Sequence, residues 1–298
     1  MEKAILDDLF LQTKYAGYDM ETSFDFSKRS SIGCGGKARV AFYPKTIAQC
    51  VNLLRELHAD GIEYTVVGNM TNVLPPDGEY KTPIVCTRLL KNADGAENGV
   101  IPAGLNAAEL IKFSLERNQS GMEFLYGIPC TLGGALYMNA GVNGKYIAEI
   151  VESVWVYYCG KTLALTQKEC EYAYKKSVFM DEDAVILGAK LVLKTSSREE
   201  IHTKIEEYKT RRAHLPTGKS MGCVFKNPEG TSAGALIEGA GLKGTRVGGA
   251  HISKTHANFI INDKGATSAE IGALVKLIKH AVFAKYKIRL QEEIRYLT

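Results

Sequence analysis

Glycine-rich loops are the first features of this sequence whose residue types and spacing could do chemistry. They occupy residues 33–36, 127–134, 141–144 and 248–249. Glycine permits positive φ and lets backbone N–H groups approach an anion, so such loops can hold a pyrophosphate. Tight turns explain any one of them equally well. Neither G-x-G-x-x-G between a strand and a helix nor G-x-x-x-x-G-K-[ST] occurs, which disfavours a Rossmann or P-loop nucleotide site.

Cysteine and histidine form no metal-binding pattern. The seven cysteines are an odd number, scattered and without a C-x-x-C pair, and the six histidines include no H-E-x-x-H. The sequence therefore predicts neither a disulfide framework nor a metal site. Most of the cysteines are expected to be buried small apolar residues, and His251 and His256 to be structural.

Capping boxes predict where helices begin, because a Thr or Asn and a Glu or Gln three residues later satisfy each other's free backbone donors. The pairs are Thr46 with Gln49, Asn106 with Glu109, Thr166 with Glu169, and Thr267 with Glu270. Short β-rich runs cover residues 64–67, 84–87, 151–165 with a turn near Gly160, 184–194 and 258–262. Helices and strands interleave without a strict βαβα rhythm, so we expect an α+β fold rather than a doubly wound parallel sheet.

Composition limits the class of protein. The chain has 298 residues, 45% of them hydrophobic, which is enough to bury a large core in one or two domains. The net charge is only +4, and no basic run suggests a nucleic-acid partner. The first residues mix acidic and apolar side chains, unlike a secretory signal, and no apolar run approaches the length of a membrane span. A cytoplasmic protein that binds neither nucleic acid nor membrane is expected.

Read in order, the glycine loops and several further blocks resemble one family over nearly the whole chain. The matching segments are residues 30–38 with 42–44, 67–74 with 77–78, 123–135 with 138–144, 222–228 (GCVFKNP), 240–244 (AGLKG), 256–260 and 290–295 (LQEEIR). Together they are similar to the UDP-N-acetylenolpyruvoylglucosamine reductases (MurB family). FKNP and AGLKG are not generic turn chemistry, so the ordered series is more specific than any single loop.

The resemblance implies an α+β fold with two domains. An N-terminal helical segment (1–21) would precede an FAD-binding domain of the vanillyl-alcohol-oxidase (PCMH) type (22–196), and a substrate domain of the family's own type (197–298) would follow. The polar stretch 195–200 is the candidate boundary.

The family reduces UDP-N-acetylglucosamine enolpyruvate with NADPH and non-covalent FAD, a step of peptidoglycan synthesis and thus of cell-wall biogenesis, cell shape and division. A monomer is expected. The residues that the resemblance assigns to FAD are Gly35, Gly36, Gly68, Asn69, Thr71, Asn72, Gly104, Gly127, Ile128, Pro129, Thr131, Gly133, Gly134, Asn139, Gly141 and Ile186.

Three catalytic residues follow from the same resemblance. Cys223 stands where the family has its proton-donating serine, and a thiol with an ordinary pKa of about 8.5 is a competent general acid. Glu293 matches the glutamate that stabilises or protonates the enolate, with Glu292 as a solvated neighbour. Lys175 replaces the family's arginine, keeping the charge but losing the bidentate fork. Substrate contacts are implied for Tyr174, Lys226 and Asn227, and Arg212 is a candidate for the diphosphate that could equally be a solvated helix face.

Met70 is a further departure, since the family's loop has glycine there and methionine cannot take unusual φ cheaply. We therefore expect this loop to run differently or to contact the flavin less closely. Because Met70, Lys175 and Cys223 all depart from the family's pattern, two alternatives to the reductase function stay open. They are a catalytically impaired flavin-binding paralogue and a flavin oxidase of the wider superfamily.

Overall fold

The computed structural model describes residues 8–297 and divides into two compact units. The first unit comprises residues 8–24, 38–69 and 81–211, and the second unit comprises residues 25–37, 70–80 and 212–297. Neither unit is continuous in sequence. Part of the predicted N-terminal helical segment, residues 1–7, lies outside the described residues.

The helices are α1 (Asp8–Lys14), α2 (Phe26–Arg29), α3 (Ile47–Ala59), α4 (Ala107–Glu116), α5 (Leu132–Tyr137), α6 (Arg198–Arg212), α7 (Ala233–Gly239) and α8 (Ser268–Tyr286). The strands are β1 (Met20–Asp25), β2 (Lys37–Phe42), β3 (Thr65–Val67), β4 (Val73–Leu74), β5 (Glu79–Tyr80), β6 (Ile84–Cys86), β7 (Ile101–Pro102), β8 (Gln119–Ser120), β9 (Gly141–Val142), β10 (Lys145–Tyr146), β11 (Val151–Tyr158), β12 (Lys161–Thr166), β13 (Val185–Leu191), β14 (Lys194–Thr195), β15 (Arg246–Val247), β16 (Ala250–Ile252), β17 (Ile260–Asn262) and β18 (Arg295–Tyr296). None of the helices in the described part of the chain has both the length and the apolar character needed to cross a membrane.

Two sheets organise the first unit. In the order β1-β2-β6-β3, β6 runs parallel to β2 and β3, whereas β12-β11-β13-β7 is antiparallel throughout. Helix α3 places Leu53, Leu54 and Leu57 in the core of this unit. Mixed pairing with interspersed helices is the expected α+β architecture.

The second unit is smaller. Its antiparallel sheet has the order β15-β16-β17, and its core includes Ile237 of α7 together with Ile271, Leu274 and Ile278 of α8. Strand β18, near the end of the chain, pairs in parallel with β4, so residues far apart in sequence are joined by a short ladder.

Three of the four predicted capping boxes begin helices: Thr46 caps α3, Asn106 caps α4 and Thr267 caps α8. The prediction was wrong at Thr166. The Glu169 carboxylate accepts from the N–H and the hydroxyl of Thr166, and the Thr166 hydroxyl accepts from Glu169 N, but the residues that follow form a turn. Glu171 takes a left-handed φ of 47°, which ends any helical path.

The predicted β-rich runs contain β3, β6, β11 with β12, β13 and β17, and the turn near Gly160 separates β11 from β12. Helix α6 begins at Arg198, inside the polar stretch 195–200, and packs through Ile201 and Ile205 against Ile111 of α4. The compact units therefore divide at residue 211 or 212. The functional domain limits 22–196 and 197–298 stay a prediction.

Candidate functional site

Two glycine loops of the first unit contact each other. Gly68 and Asn69 follow β3, and Asn69 Nδ2 donates a hydrogen bond to the Pro129 carbonyl at 2.9 Å. A Cβ at Gly68 would lie 2.7 Å from Thr131 Oγ1, so only glycine allows this approach. Gly127 and Pro129 remain exposed and within reach of a ligand. These residues fit the expectation of a pyrophosphate-binding loop.

Other glycines assigned to the cofactor are required by chain packing. A Cβ at Gly104 would lie 2.4 Å from the Thr87 carbonyl oxygen, and one at Gly141 would lie 2.3 Å from the Tyr146 ring. The N–H groups of Gly133 and Gly134 donate to the Ala103 carbonyl (2.8 Å) and to Thr131 Oγ1 (3.3 Å). The first turn of α5 is thus occupied by protein acceptors.

Apolar members of the cofactor set are part of the first unit's core. Ile186 lies in β13 and is buried there, and Ile128 packs against the same core.

In the second unit, Gly35 and Gly36 are held against the segment of residues 70–80. Gly36 N donates to the Pro76 carbonyl at 2.7 Å, and a Cβ there would lie 2.2 Å from the Gly78 carbonyl oxygen. Gly35 takes φ 104°. Thr71, on the same segment, is half-buried.

Met70 has an unusual backbone conformation, with φ 50° in the left-handed region that favours glycine. The expectation that this loop runs differently from the family's, or contacts the flavin less closely, stays a prediction. The side chain is only 4% exposed, and the Met70 carbonyl accepts a hydrogen bond from Ser31 N at 3.2 Å. Burial of the side chain offsets a left-handed cost of about 1–2 kcal/mol.

Asn139 fixes the turn that carries Tyr174 and Lys175. Its Nδ2 donates to the Ala173 carbonyl at 2.8 Å, and its Oδ1 accepts from Ala148 N at 3.3 Å. Because Asn139 is buried and both ends of its amide are engaged by protein, it acts as a scaffold of this turn.

The turn itself closes through reciprocal backbone hydrogen bonds between Ala173 and Lys176, each 3.1 Å. Lys175 takes φ 53° and is half-buried, and Tyr174 is 44% exposed with its ring edge-on to Tyr146. Two side chains predicted for catalysis and substrate binding are thereby presented together at a turn of the first unit.

Cys223 begins an extended segment of the second unit. Asn258 binds this segment through both the oxygen and the nitrogen of its side-chain amide. Phe225 N donates to Asn258 Oδ1 at 3.0 Å, and Asn258 Nδ2 donates to the Phe225 carbonyl at 2.8 Å. Val224 N also donates to the Asn258 carbonyl at 2.9 Å. Asn258 is 2% exposed, so these bonds are shielded from water. The sequence predicts no role for Asn258, although a polar residue at the start of a predicted apolar strand (258–262) is a signal for such a clamp.

Glu293 lies directly beside this segment. Its N–H donates to the Val224 carbonyl at 2.8 Å, which places its backbone next to the residue following Cys223. The structure therefore brings together two of the predicted catalytic residues, which are distant in sequence. Both are half-buried.

Glu292 has a different environment. Its carboxylate accepts a hydrogen bond from Lys279 Nζ at 2.5 Å. Burial and a hydrogen bond to Glu292 raise the pKa of Tyr296. Glu292 is therefore engaged in an ion pair on the surface of α8.

The remaining predicted substrate residues are dispersed. Lys226 N donates to the Gln291 carbonyl at 2.8 Å, and Asn227 Oδ1 accepts from Ala233 N, the first residue of α7, at 3.0 Å. Arg212 is half-buried at the last position of α6.

The cysteines separate by burial as expected. Cys34, Cys50, Cys86, Cys130 and Cys170 are buried, Cys159 is exposed and Cys223 is half-buried. Burial raises the pKa of the Cys50 thiol to about 12 and that of Cys170 to about 11. Such thiols are inert. Across residues 8–297, no cluster of His, Cys, Asp and Glu side chains has metal-binding geometry.

The histidines have structural partners. His256 Nδ1 accepts from Asn258 N at 3.3 Å, and burial lowers the His256 pKa. His251 lies beside Asp263, which a bidentate pair from Arg246 also engages.

Comparison with known proteins defines the class first. The family model of an FAD binding domain matches residues 38–160, and the model of the UDP-N-acetylenolpyruvoylglucosamine reductase C-terminal domain matches residues 213–297. The chain is thus a flavoprotein that joins an FAD-binding domain to a second domain characteristic of one reductase family. The expected fold class is confirmed.

Whole-length relatives identify the family. A UDP-N-acetylenolpyruvoylglucosamine reductase of Listeria monocytogenes is 32% identical over 96% of this chain and 98% of its own length. One from Caldicellulosiruptor bescii is 35% identical over 95% and 92%. The crystal structure of the Thermus caldophilus enzyme superposes with a TM-score of 0.79 at 29% identity, covering 94% of this chain and 99% of that one. The chain belongs to the UDP-N-acetylenolpyruvoylglucosamine reductase family.

Proposed function

We propose that this protein catalyses the NADPH-driven, FAD-dependent reduction of UDP-N-acetylglucosamine enolpyruvate to UDP-N-acetylmuramate. The observation that carries the proposal is the fixed placement of Glu293 beside the Cys223 segment through the 2.8 Å bond from Glu293 N to the Val224 carbonyl. Whole-length relatives bearing the name of this reductase support it.

When FAD is bound, its chemistry would be the transfer to C3 of the enolpyruvyl group of a hydride taken from NADPH. In the first unit, the loops at residues 68–69 and 127–131 would hold the FAD pyrophosphate, because their glycines allow close backbone approach. The other residues assigned to FAD by resemblance stay a prediction.

The protein's own chemistry is the delivery of a proton and the stabilisation of negative charge. When C3 receives a hydride, the electrons of the double bond move toward the carboxylate as an enolate, and C2 then takes a proton. Cys223 would donate that proton from its Sγ, leaving a thiolate that solvent reprotonates. Glu293, fixed beside it, would stabilise the developing charge by holding or relaying a proton.

Lys175 and Tyr174 are assigned their roles from the resemblance. The ammonium group of Lys175 would pair with the substrate carboxylate, and Tyr174 would contact the nucleotide sugar. Lys226 and Asn227 in the second unit, with Arg212, are proposed for the remaining polar contacts. We also propose that the protein is a cytoplasmic monomer serving cell-wall synthesis, and hence cell shape and division, with functional domains at residues 22–196 and 197–298.

NADPH consumption by the purified protein should require UDP-N-acetylglucosamine enolpyruvate and match the amount of lactyl-ether product formed. Flavin reduction by NADPH without any product would contradict the proposal. Oxygen-dependent turnover of a sugar or phenolic alcohol would indicate an oxidase instead.

A further inference from the structure

We infer that Asn72 is a positioning residue that fixes Glu293 for the proton-transfer step, rather than a direct ligand of the flavin. The inference rests on the proposed function, in which Glu293 acts on the substrate. It concerns only residues of the second unit.

Asn72 makes two hydrogen bonds on the C-terminal side of the Glu293 Cα. Its Nδ2 donates to the Glu293 carbonyl at 2.9 Å, and its own backbone carbonyl accepts from Arg295 N at 2.9 Å. With the bond from Glu293 N to the Val224 carbonyl, both backbone polar groups of Glu293 are engaged. The Cα of Glu293, and hence the origin of its side chain, is therefore fixed by Asn72 on one side and by the Cys223 segment on the other.

Glu293 needs such a clamp because its own secondary structure is minimal. Helix α8 ends at Tyr286, and the residues that follow, up to 297, contain only an isolated bridge between Glu292 and Phe225 and the two-residue strand β18. A chain segment with so little regular structure does not hold a side chain to the tolerance that catalysis requires unless other contacts fix it.

Asn72 is able to position Glu293 because its own segment, residues 70–80, is anchored independently. The backbone anchors of this segment are separate from the Asp77 carboxylate, which accepts hydrogen bonds from Ser268 N (2.7 Å) and Ala269 N (2.9 Å) and caps the first turn of α8. Ser31 N donates to the Met70 carbonyl, and Gly36 N donates to the Pro76 carbonyl. The amide of Asn72 is thus presented from a fixed frame rather than from a mobile loop.

The sharpest test removes the donor and keeps the shape of the side chain. Asn72→Asp keeps the shape of the side chain but replaces Nδ2 with an oxygen that repels the Glu293 carbonyl, and the backbone bond from Arg295 N is unaffected. Two half-reactions are followed anaerobically in the holoenzyme: reduction of bound FAD by NADPH, and reoxidation by UDP-N-acetylglucosamine enolpyruvate. We expect reoxidation to slow by about tenfold to a hundredfold at saturating substrate, because small misplacements of a catalytic group have effects of that order.

The same variant should keep its FAD content, its flavin spectrum and its rate of reduction by NADPH within about twofold of the wild type, since the flavin is not the group that Asn72 serves. Loss of FAD or slower reduction by NADPH would overturn the inference and make Asn72 a cofactor ligand. Unchanged reoxidation would also overturn it.

Asp77→Ala is the matched control. It removes two hydrogen bonds from the same segment, and losing a helix cap of this kind costs about 1 kcal/mol, yet it leaves the Asn72 amide in place. It should lower thermal stability while keeping reoxidation within about twofold. An equal slowing in both variants would reduce Asn72 to a general structural role and contradict the inference.

A double-mutant comparison separates the inference from the proposed function. If Glu293→Gln alone does not slow reoxidation, the assigned role of Glu293 fails, and the inference fails with it. If Glu293→Gln slows reoxidation, adding Asn72→Asp should slow it little further, because the group being positioned is already disabled. If the double variant slows reoxidation by the product of the two single effects, Asn72 acts on a group other than Glu293. The proposed reaction would then still stand. Asn72→Ser serves as the second variant if Asn72→Asp does not fold.

Discussion

Replacing Asn258 with alanine should both destabilise the second unit and disable the Cys223 segment. The substitution removes the acceptor for Phe225 N and the donor to the Phe225 carbonyl. Phe225 is 1% exposed, so neither backbone group regains water. An unsatisfied buried group costs about 1–3 kcal/mol, which gives a loss of about 2–6 kcal/mol for the pair.

The assay has two parts, urea unfolding for stability and anaerobic flavin reoxidation by the enolpyruvyl nucleotide for function. Because Cys223 lies two residues before Phe225, we expect reoxidation to slow by about tenfold or more, as for other small displacements of a reacting group. Reduction of the flavin by NADPH should stay within about twofold.

Asn262→Ala is the matched control in the same unit. Asn262 is 3% exposed, donates from Nδ2 to the Ile32 carbonyl at 2.9 Å and accepts from Ala266 N at 2.7 Å. It should lose comparable stability without slowing reoxidation in protein saturated with FAD. If both variants slow reoxidation equally, the clamp on the Cys223 segment has no specific role and the reasoning is refuted.

Three further predictions follow from single sites. Met70→Gly should be more stable than Met70→Ala by about 1 kcal/mol in thermal unfolding. Both variants lose the buried side chain, but only alanine keeps the free-energy cost of a left-handed backbone. The reverse order of stability would contradict a strained backbone at Met70. Hydrogen bonds from Lys14 and Tyr15 hold the pKa of Asp60 below its ordinary value, so its contribution to stability is present above about pH 4 and is lost as pH falls through the lower folded pKa. Asp60→Asn should therefore flatten the pH dependence of unfolding in that acid range, and an unchanged profile would argue against the pair. Asn139→Ala should raise the KM for the enolpyruvyl nucleotide by about tenfold without loss of bound FAD, since it frees the turn that Asn139 holds; loss of FAD instead would make Asn139 a cofactor ligand.

Local patterns in the sequence predicted elements well where the competing interactions are also local. Thr46, Asn106 and Thr267 each begin a helix because the capping bonds lie within three residues of one another. The same bonds form at Thr166 without a helix, since a left-handed residue follows before one can propagate. A capping box therefore indicates a turn start, and later residues decide whether a helix continues.

Long-range contacts account for what the sequence did not predict. The carboxylate of Asp77 caps a helix 191 residues away, and Asn72 holds a carbonyl 221 residues away. Nothing in the local pattern distinguishes an asparagine that contacts a cofactor from one that clamps a distant backbone. For the same reason, the assignment of residues 25–37 and 70–80 to the second unit could be read only from the folded chain.

The most direct test of the central claim is a single-turnover experiment on Cys223. Enzyme reduced by NADPH without oxygen is mixed with UDP-N-acetylglucosamine enolpyruvate, and the flavin absorbance is followed. Wild type and Cys223→Ser should return to the oxidised flavin spectrum, because both supply a proton donor at that position, whereas Cys223→Ala should stay reduced. Reoxidation of the alanine variant at the wild-type rate would show that Cys223 does not deliver the proton, and failure of the wild type to reoxidise would contradict the proposed reaction itself.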